Sequence, residues 1–262
     1  MPFAENDGVK IYWEEAGDGE PILLIMGLGW ASYLWHRTRP VLAAKYRVIT
    51  FDNRGVGRSG VPPGPYPIAT MAADAAAVLD SAGVKRAHIF GLSMGGMIGQ
   101  EFALQYPDRV KSLILGCTAA GGPAALQPSP EVIQVLMRRG MTPQEAAEAI
   151  DPFIYHSETA PELIEHDRKL RVEWYPTAEG YMSQLQGIMA WEAYSRIAQI
   201  SAPTLVLHGE TDQLIPAGNG RLIAGRIPRA KFVLIPKAGH IFPTDQPAIS
   251  NETVLNFLSA QS

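Results

Sequence analysis

The residues with the clearest capacity for covalent chemistry are Gly91-Leu92-Ser93-Met94-Gly95, a G-x-S-x-G pattern. It follows the short apolar run His88-Ile89-Phe90 and opens a helical pattern, the context that a nucleophilic serine on a strand-to-helix turn requires. Such a turn is tight and strained. Glycines flank it because a Cβ there would collide with neighbouring backbone. The turn also lifts the serine Oγ clear of the sheet and leaves it at a helix N-terminus, where unpaired N–H groups favour negative charge.

A serine hydroxyl is a weak nucleophile and needs a general base, usually a histidine held by a carboxylate. Of the six histidines, His88 lies in the strand leading to the serine, His36 in the first helix, and His156 and His166 in a polar helical region. His208 ends the strand Thr204–Leu207, ahead of any downstream acid. His240, in Pro236-Lys237-Ala238-Gly239-His240, follows the last strand and closes the chain order serine, acid, histidine from a loop at the sheet's end. For the acid, Asp212 and Glu210 both qualify by position after the preceding strand, and Asp212 is preferred. Cys117-Thr118-Ala119-Ala120 offers no acid after the earlier strand, and Asp245 lies too far along the exit helix to be preferred.

Positioning these groups takes an alternation of strand and helix. Asp7-Gly8 reads as the turn of a hairpin before Val9–Ala16. Apolar runs at Pro21–Met26, Tyr46–Phe51, Arg86–Phe90, Val110–Leu115, Thr204–Leu207 and Lys231–Ile235 fit strands buried on both faces of a parallel sheet. Helical patterns lie between them at Leu34–Ala44, Ile68–Ala82, Met94–Gln105, Gly218–Arg226 and Ala248–Ala260, so the class is α/β with a mostly parallel sheet. Residues 119–198 break the rhythm with helices alone, near Glu131–Arg139, Pro143–Ile150, Pro161–Val172 and Tyr181–Ile197. They read as a helical cap inserted into a core domain made of residues 1–118 and 199–262.

The 262 residues, 47% hydrophobic and 18% charged, exclude a disordered chain and allow a substantial core. A net charge of −4 gives no footprint for nucleic acid or anionic lipid. No apolar run reaches the ~18 residues of a membrane span. The first residues lack the basic and apolar regions of a secretory signal, so a cytoplasmic location is expected.

With Ser93, Asp212 and His240 in place, the sequence resembles the α/β-hydrolase family over essentially its whole length, and the elbow Gly91–Gln100 is similar to that of the 3-oxoadipate enol-lactonase and small-esterase branch. Asp52-Asn53-Arg54-Gly55-Val56-Gly57-Arg58-Ser59 looks like the structural loop these proteins carry after the fourth strand, and Met26-Gly27-Leu28-Gly29 occupies the site of their His-Gly oxyanion turn, with methionine for histidine. The resemblance implies an α/β-hydrolase fold, oxyanion donors at the N–H groups of Leu28 and Met94, and a serine hydrolase that cleaves a small-molecule carboxylic ester or lactone without a cofactor. Carbon–carbon bond hydrolysis or peracid formation by the same triad, and a ligand-binding member without turnover, stay open.

Gly55-Val56-Gly57-Arg58-Ser59-Gly60 also satisfies G-x-G-x-x-G, but Val61-Pro62-Pro63-Gly64-Pro65 cannot begin the helix a dinucleotide needs. No spacing of His, Cys or acidic residues calls for a metal, and Cys117 reads as a small buried residue. Ile188, Trp191 and Tyr194 recur at three-residue spacing, which on a helix makes one apolar stripe. That stripe either docks the cap on the sheet or, through Trp191 above all, walls a substrate pocket.

Overall fold

The short runs of Ile, Leu and Val become the middle of an eight-stranded sheet in the computed structural model, which describes residues 2–137 and 140–261. In chain order the strands are β1 (Phe3–Asn6), β2 (Val9–Ala16), β3 (Glu20–Ile25), β4 (Tyr46–Phe51), β5 (Ala87–Leu92), β6 (Val110–Gly116), β7 (Thr204–Gly209) and β8 (Lys231–Ile235). Their spatial order is β1-β2-β4-β3-β5-β6-β7-β8. The β1–β2 hairpin turns at Asp7 and Gly8, with φ of 50° and 74°, and β2 runs antiparallel to β4. Every pairing from β4 through β8 is parallel.

The parallel strands are continuous apolar runs because both sheet faces are covered. In β3, Leu23 and Ile25 face a cluster shared with Met71 and Ala72 of α2 (after α1, Arg39–Ala43; α2, Ile68–Ser81) and with Phe102 of α3 (Met94–Gln105). Ile22 and Leu24 face the opposite cluster, and all four β3 side chains are fully buried.

Between β6 and β7 lie α4 (Pro130–Met137), α5 (Pro143–Ile154), α6 (Pro161–Glu173) and α7 (Ala178–Ala190), and no strand is named there among the described residues. The chain then supplies α8 (Gly218–Arg226), α9 (Phe242–Asp245) and α10 (Pro247–Ser259), and Val254 and Leu258 of α10 join the second cluster. Arg138 and Arg139, the end of the expected helix near Glu131–Arg139, lie outside the described residues.

The topology selects where a site can form. From β3 the chain passes to β4 on one side and later to β5 on the other, so the connections leaving β3 and β5 part in opposite directions. Ligands of open α/β sheets bind in the crevice outside the carboxyl ends at such a switch point. Leu28 follows β3 and Ser93 follows β5 there.

Two helices differ from their sequence patterns. The expected helix Leu34–Ala44 is a 3₁₀ segment, Ser32–Arg37, followed by α1. Pro40 lacks the N–H that a continuous helix would use at that position, so it is accommodated in the first turn of a new helix, with the break at Thr38. The expected Tyr181–Ile197 stops at Ala190, and Trp191 is extended with φ −94° and ψ 142°. Glu192 bridges to Gly121 and the Ala193 N–H donates to the Ala120 carbonyl at 2.8 Å, a tertiary pairing that overrides helix propensity. The stripe of Ile188, Trp191 and Tyr194 therefore does not form on one helix.

Candidate active site

Ser93 sits between the last residue of β5 and the first of α3 with φ 57° and ψ −120°, a region that costs an ordinary residue of order 1–3 kcal/mol. The surroundings hold it there. Its N–H donates to the Gly116 carbonyl at 2.9 Å, and its carbonyl accepts from Thr118 Oγ1 at 2.7 Å and from the Gly96 N–H at 2.9 Å. The glycines of the pattern are steric necessities: a Cβ at Gly91 would lie 2.0 Å from the Gly95 carbonyl oxygen, and one at Gly95 would lie 2.0 Å from that of Ile25.

His240 leaves the loop after β8 and is almost fully buried. Its Nδ1 lies 2.9 Å from Asp212 Oδ2. Asp212 Oδ1 accepts the N–H groups of Leu214 and Ile215, each at 2.9 Å, which closes its loop as an Asx turn. Burial pushes the Asp212 carboxyl upward, but the facing imidazoles of His240 and His208 outweigh it and hold its pKa at about 2. An ionised carboxylate only accepts, so His240 Nδ1 carries a proton, and in the neutral ring the lone pair is on Nε2. Both Ser93 and His240 line one cavity. Glu210, the other positional choice of acid, is exposed and accepts from the Lys237 N–H at 3.3 Å.

This carboxylate makes stability depend on acid. The folded pKa of about 2 lies below the usual ~3.9, so its contribution of about 2–3 kcal/mol is complete above the unfolded value and is lost as pH falls from roughly 5 to 2. Asp167, also held at about 2 despite burial, by His36, Thr244 and Arg37, adds in the same window. The urea midpoint is expected to fall over that interval, and to fall less in Asp212→Asn. An equal decline in both proteins would remove Asp212 as a source.

Leu28 lies in the turn after β3, and Met94 is the first residue of α3, so the Met94 N–H has no acceptor within its own helix. The turn stands against the serine: a Cβ on Gly27 would be 3.0 Å from Ser93 Cβ and 3.5 Å from its Oγ. Two buried amides set it. Asn53 Nδ2 donates to the Met26 carbonyl at 2.9 Å, while Gln184 of α7 accepts the Gly29 N–H and donates to the Arg54 carbonyl, both at 2.8 Å. Asp52 is fully buried and accepts from Ser32 and Arg58, so the loop after β4 is a framework element.

A family model described as the alpha/beta hydrolase fold matches residues 20–163 and 165–247. The chain belongs to the α/β-hydrolase family. Among its relatives, a protein named as a carbamate hydrolase, RutD, from Azorhizobium caulinodans is 34% identical over 261 residues, covering 98% of each chain. A thermophilic esterase from Thermogutta terrifontis superposes with a TM-score of 0.86 at 32% identity, covering 99% of this chain and 98% of its own. The enol-lactonase from Burkholderia xenovorans LB400 superposes with a TM-score of 0.88 at 28% identity, covering 98% of this chain and 100% of its own. No helix among the described residues of this α/β hydrolase is long and apolar enough to cross a membrane.

The hydrolase's cavity measures about 500 Å³, and Leu28, Ser93, Met94, Ile188, Trp191 and His240 are among its walls. Tyr194 is not; its ring stacks under the Arg226 guanidinium, 5.1 Å from the centroid. Trp191 both packs against the sheet domain and lines the cavity. Its indole N–H donates to buried Glu101 at 2.9 Å, and its ring packs in the first cluster. A second apolar cavity of about 350 Å³, between Pro67, Ile68 and Gly187, lies against the same ring. Trp191→Ala is expected both to destabilise by roughly 3–5 kcal/mol and to enlarge the preferred substrate. Urea unfolding and a chain-length series check the two halves; a change in only one would assign the ring to that role alone.

His208, read from the sequence as a strand end, is fully buried with Nε2 2.7 Å from the Ile215 carbonyl and 3.2 Å from Asp212 Oδ2. A carbonyl only accepts, so Nε2 carries the proton and His208 supports the acid's loop. Asp245 likewise accepts the Gly239 N–H at 2.7 Å and props the His240 loop. Ligand atoms of Cys117, Asp212 and His240, and of His36, His166 and Asp167, lie within 4.8 Å of one another. Neither donor set suits a metal. Burial raises the Cys117 thiol well above its usual range while Asp212 and His240 already bond each other, and the Arg37 guanidinium holds Asp167 Oδ1 at 3.0 Å.

Proposed function

We propose that this protein is a serine hydrolase that cleaves a carboxylic ester or lactone through an acyl-enzyme. The observation that carries this reading is a strained Ser93 lining the same cavity as His240, whose Nδ1 is bonded to a buried, ionised Asp212. Ser93 Oγ forms a bond to the carbonyl carbon as His240 Nε2 takes its proton, and the N–H groups of Leu28 and Met94 stabilise the oxyanion. The alkoxide leaves with the proton from His240. Water then adds to the acyl carbon, giving its proton to His240, and Ser93 Oγ departs with that proton to regenerate the hydroxyl.

In this reading residues 119–198 are a cap over a core of residues 1–118 and 199–262, and Ile188 and Trp191 belong to the pocket. The substrate is a small molecule; the net charge of −4 disfavours nucleic acid, and the location is cytoplasmic. The test is a panel of p-nitrophenyl esters, lactones and carbamates, with the acylated residue identified by mass spectrometry. Acylation of Ser93 during ester or lactone turnover is expected. Turnover of carbamates alone would move the assignment to that neighbouring acyl chemistry.

A further inference from the structure

Resting on the acyl-enzyme reading, we propose that the substrate class is esters of neutral, unbranched acyl chains of about six to ten carbons, with the acyl chain in the cavity and the alcohol leaving through its mouth. Three observations carry it. The first is size: about 500 Å³, at about 30 Å³ per water-sized group, holds an acyl chain of this length with its ester head, whereas an acetyl group leaves most of the volume empty of contacts. The second is chemistry. Met97, Leu185, Ile188 and Trp191 make an apolar interior, and among the described residues no Lys, Arg, Asp or Glu lines it. A carboxylate carried on the chain would be stripped of water there without a cation among those residues to receive it.

The third observation is the mouth. Exposed apolar side chains that cluster mark a binding surface, and Leu126, Ile133 and Met189, at 49%, 46% and 75% exposure, all belong to the wall of this one cavity. They give the cavity an apolar rim, which favours entry of a neutral chain over a charged one. Four of the nine methionines in the chain (Met94, Met97, Met137 and Met189) are in the lining. Unbranched thioether side chains adapt to a flexible chain better than branched ones do.

The experiment measures kcat/KM on p-nitrophenyl acetate, butyrate, octanoate and palmitate, on the p-nitrophenyl hemiester of succinic acid, and on ethyl and octyl acetate. Each buried methylene is worth up to about four-fold, so octanoate should exceed acetate by on the order of 100-fold, with palmitate lower than octanoate. Butyrate should exceed the hemisuccinate, which adds a carboxylate at the chain end, by at least about ten-fold. Octyl acetate should gain little over ethyl acetate. Ile188→Trp should lower the octanoate-to-acetate ratio by about ten-fold by filling the interior. Met189→Asp, at an exposed position where folding is not at stake, should lower it several-fold.

A preference for acetate or for the hemisuccinate, or a chain effect in the alcohol series, overturns the inference. If Ser93 still takes a phosphonate label in that case, the serine-hydrolase reading stands. No ester turnover and no label overturn both.

Discussion

Ser93→Ala is expected to lower kcat by roughly 10⁴–10⁶ with substrate binding largely kept, because removal of a nucleophile deletes the covalent path and leaves oxyanion stabilisation and binding behind. The local structure makes the substitution a clean one. The positive φ at Ser93 is fixed by bonds to its backbone from Gly116, Thr118 and Gly96, and none of these involves Oγ, so the elbow survives the change. An organophosphonate ester should modify Ser93 alone in the unmodified protein. Peptide mapping reads the label and steady-state kinetics the loss. Label on another serine, or near-normal turnover in the variant, would sink the assignment.

His240→Ala should be as damaging as loss of Ser93, and Asp212→Asn should cost about 10³–10⁴ in kcat. The reason lies in one proton. Asp212 Oδ2 accepts from His240 Nδ1 at 2.9 Å, so in the neutral ring the lone pair sits on Nε2, and His240 lines the same cavity as Ser93. An asparagine amide that turns its nitrogen toward Nδ1 favours the opposite tautomer and places a proton where a lone pair is needed. Glu210→Gln should change turnover little, since its carboxylate points to the Lys237 N–H. Kinetics of the three variants on one ester suffice; a severe Glu210→Gln with a mild Asp212→Asn would reverse the choice of acid.

The fold was legible because burial on both faces writes itself into β3 to β7 as short runs rich in Ile, Leu and Val, and because glycine steric demands write the elbow. The bond between Asp212 and His240, and the cavity His240 shares with Ser93, follow from chain order together with the elbow. What escaped is what depends on partners distant in the chain. The end of α7 at Ala190 follows from the pairing of Glu192 with Gly121, and no periodicity near Trp191 announces it. His208 looked like the last residue of a strand; its contact with Asp212 arises from the turn that carries the acid back over β7. Gln184 is one polar residue on an otherwise ordinary helix, and only folding brings its amide to Gly29 and Arg54.

That amide has a thermal consequence. Gln184 is the clasp between a helical segment built outside the sheet and the turn after β3, whose Leu28 N–H is the proposed oxyanion donor. A chain whose outer helices have come loose keeps Ser93, His240 and Asp212 on the sheet's loops, yet its turn is no longer set. Segments of this kind open at lower free energy than a parallel sheet does. On heating, turnover should therefore vanish several degrees before the sheet's circular dichroism signal is lost, and Gln184→Ala should widen that interval. Heat would disarm the protein before it unfolds it, and cooling from that interval should restore turnover without refolding of the sheet.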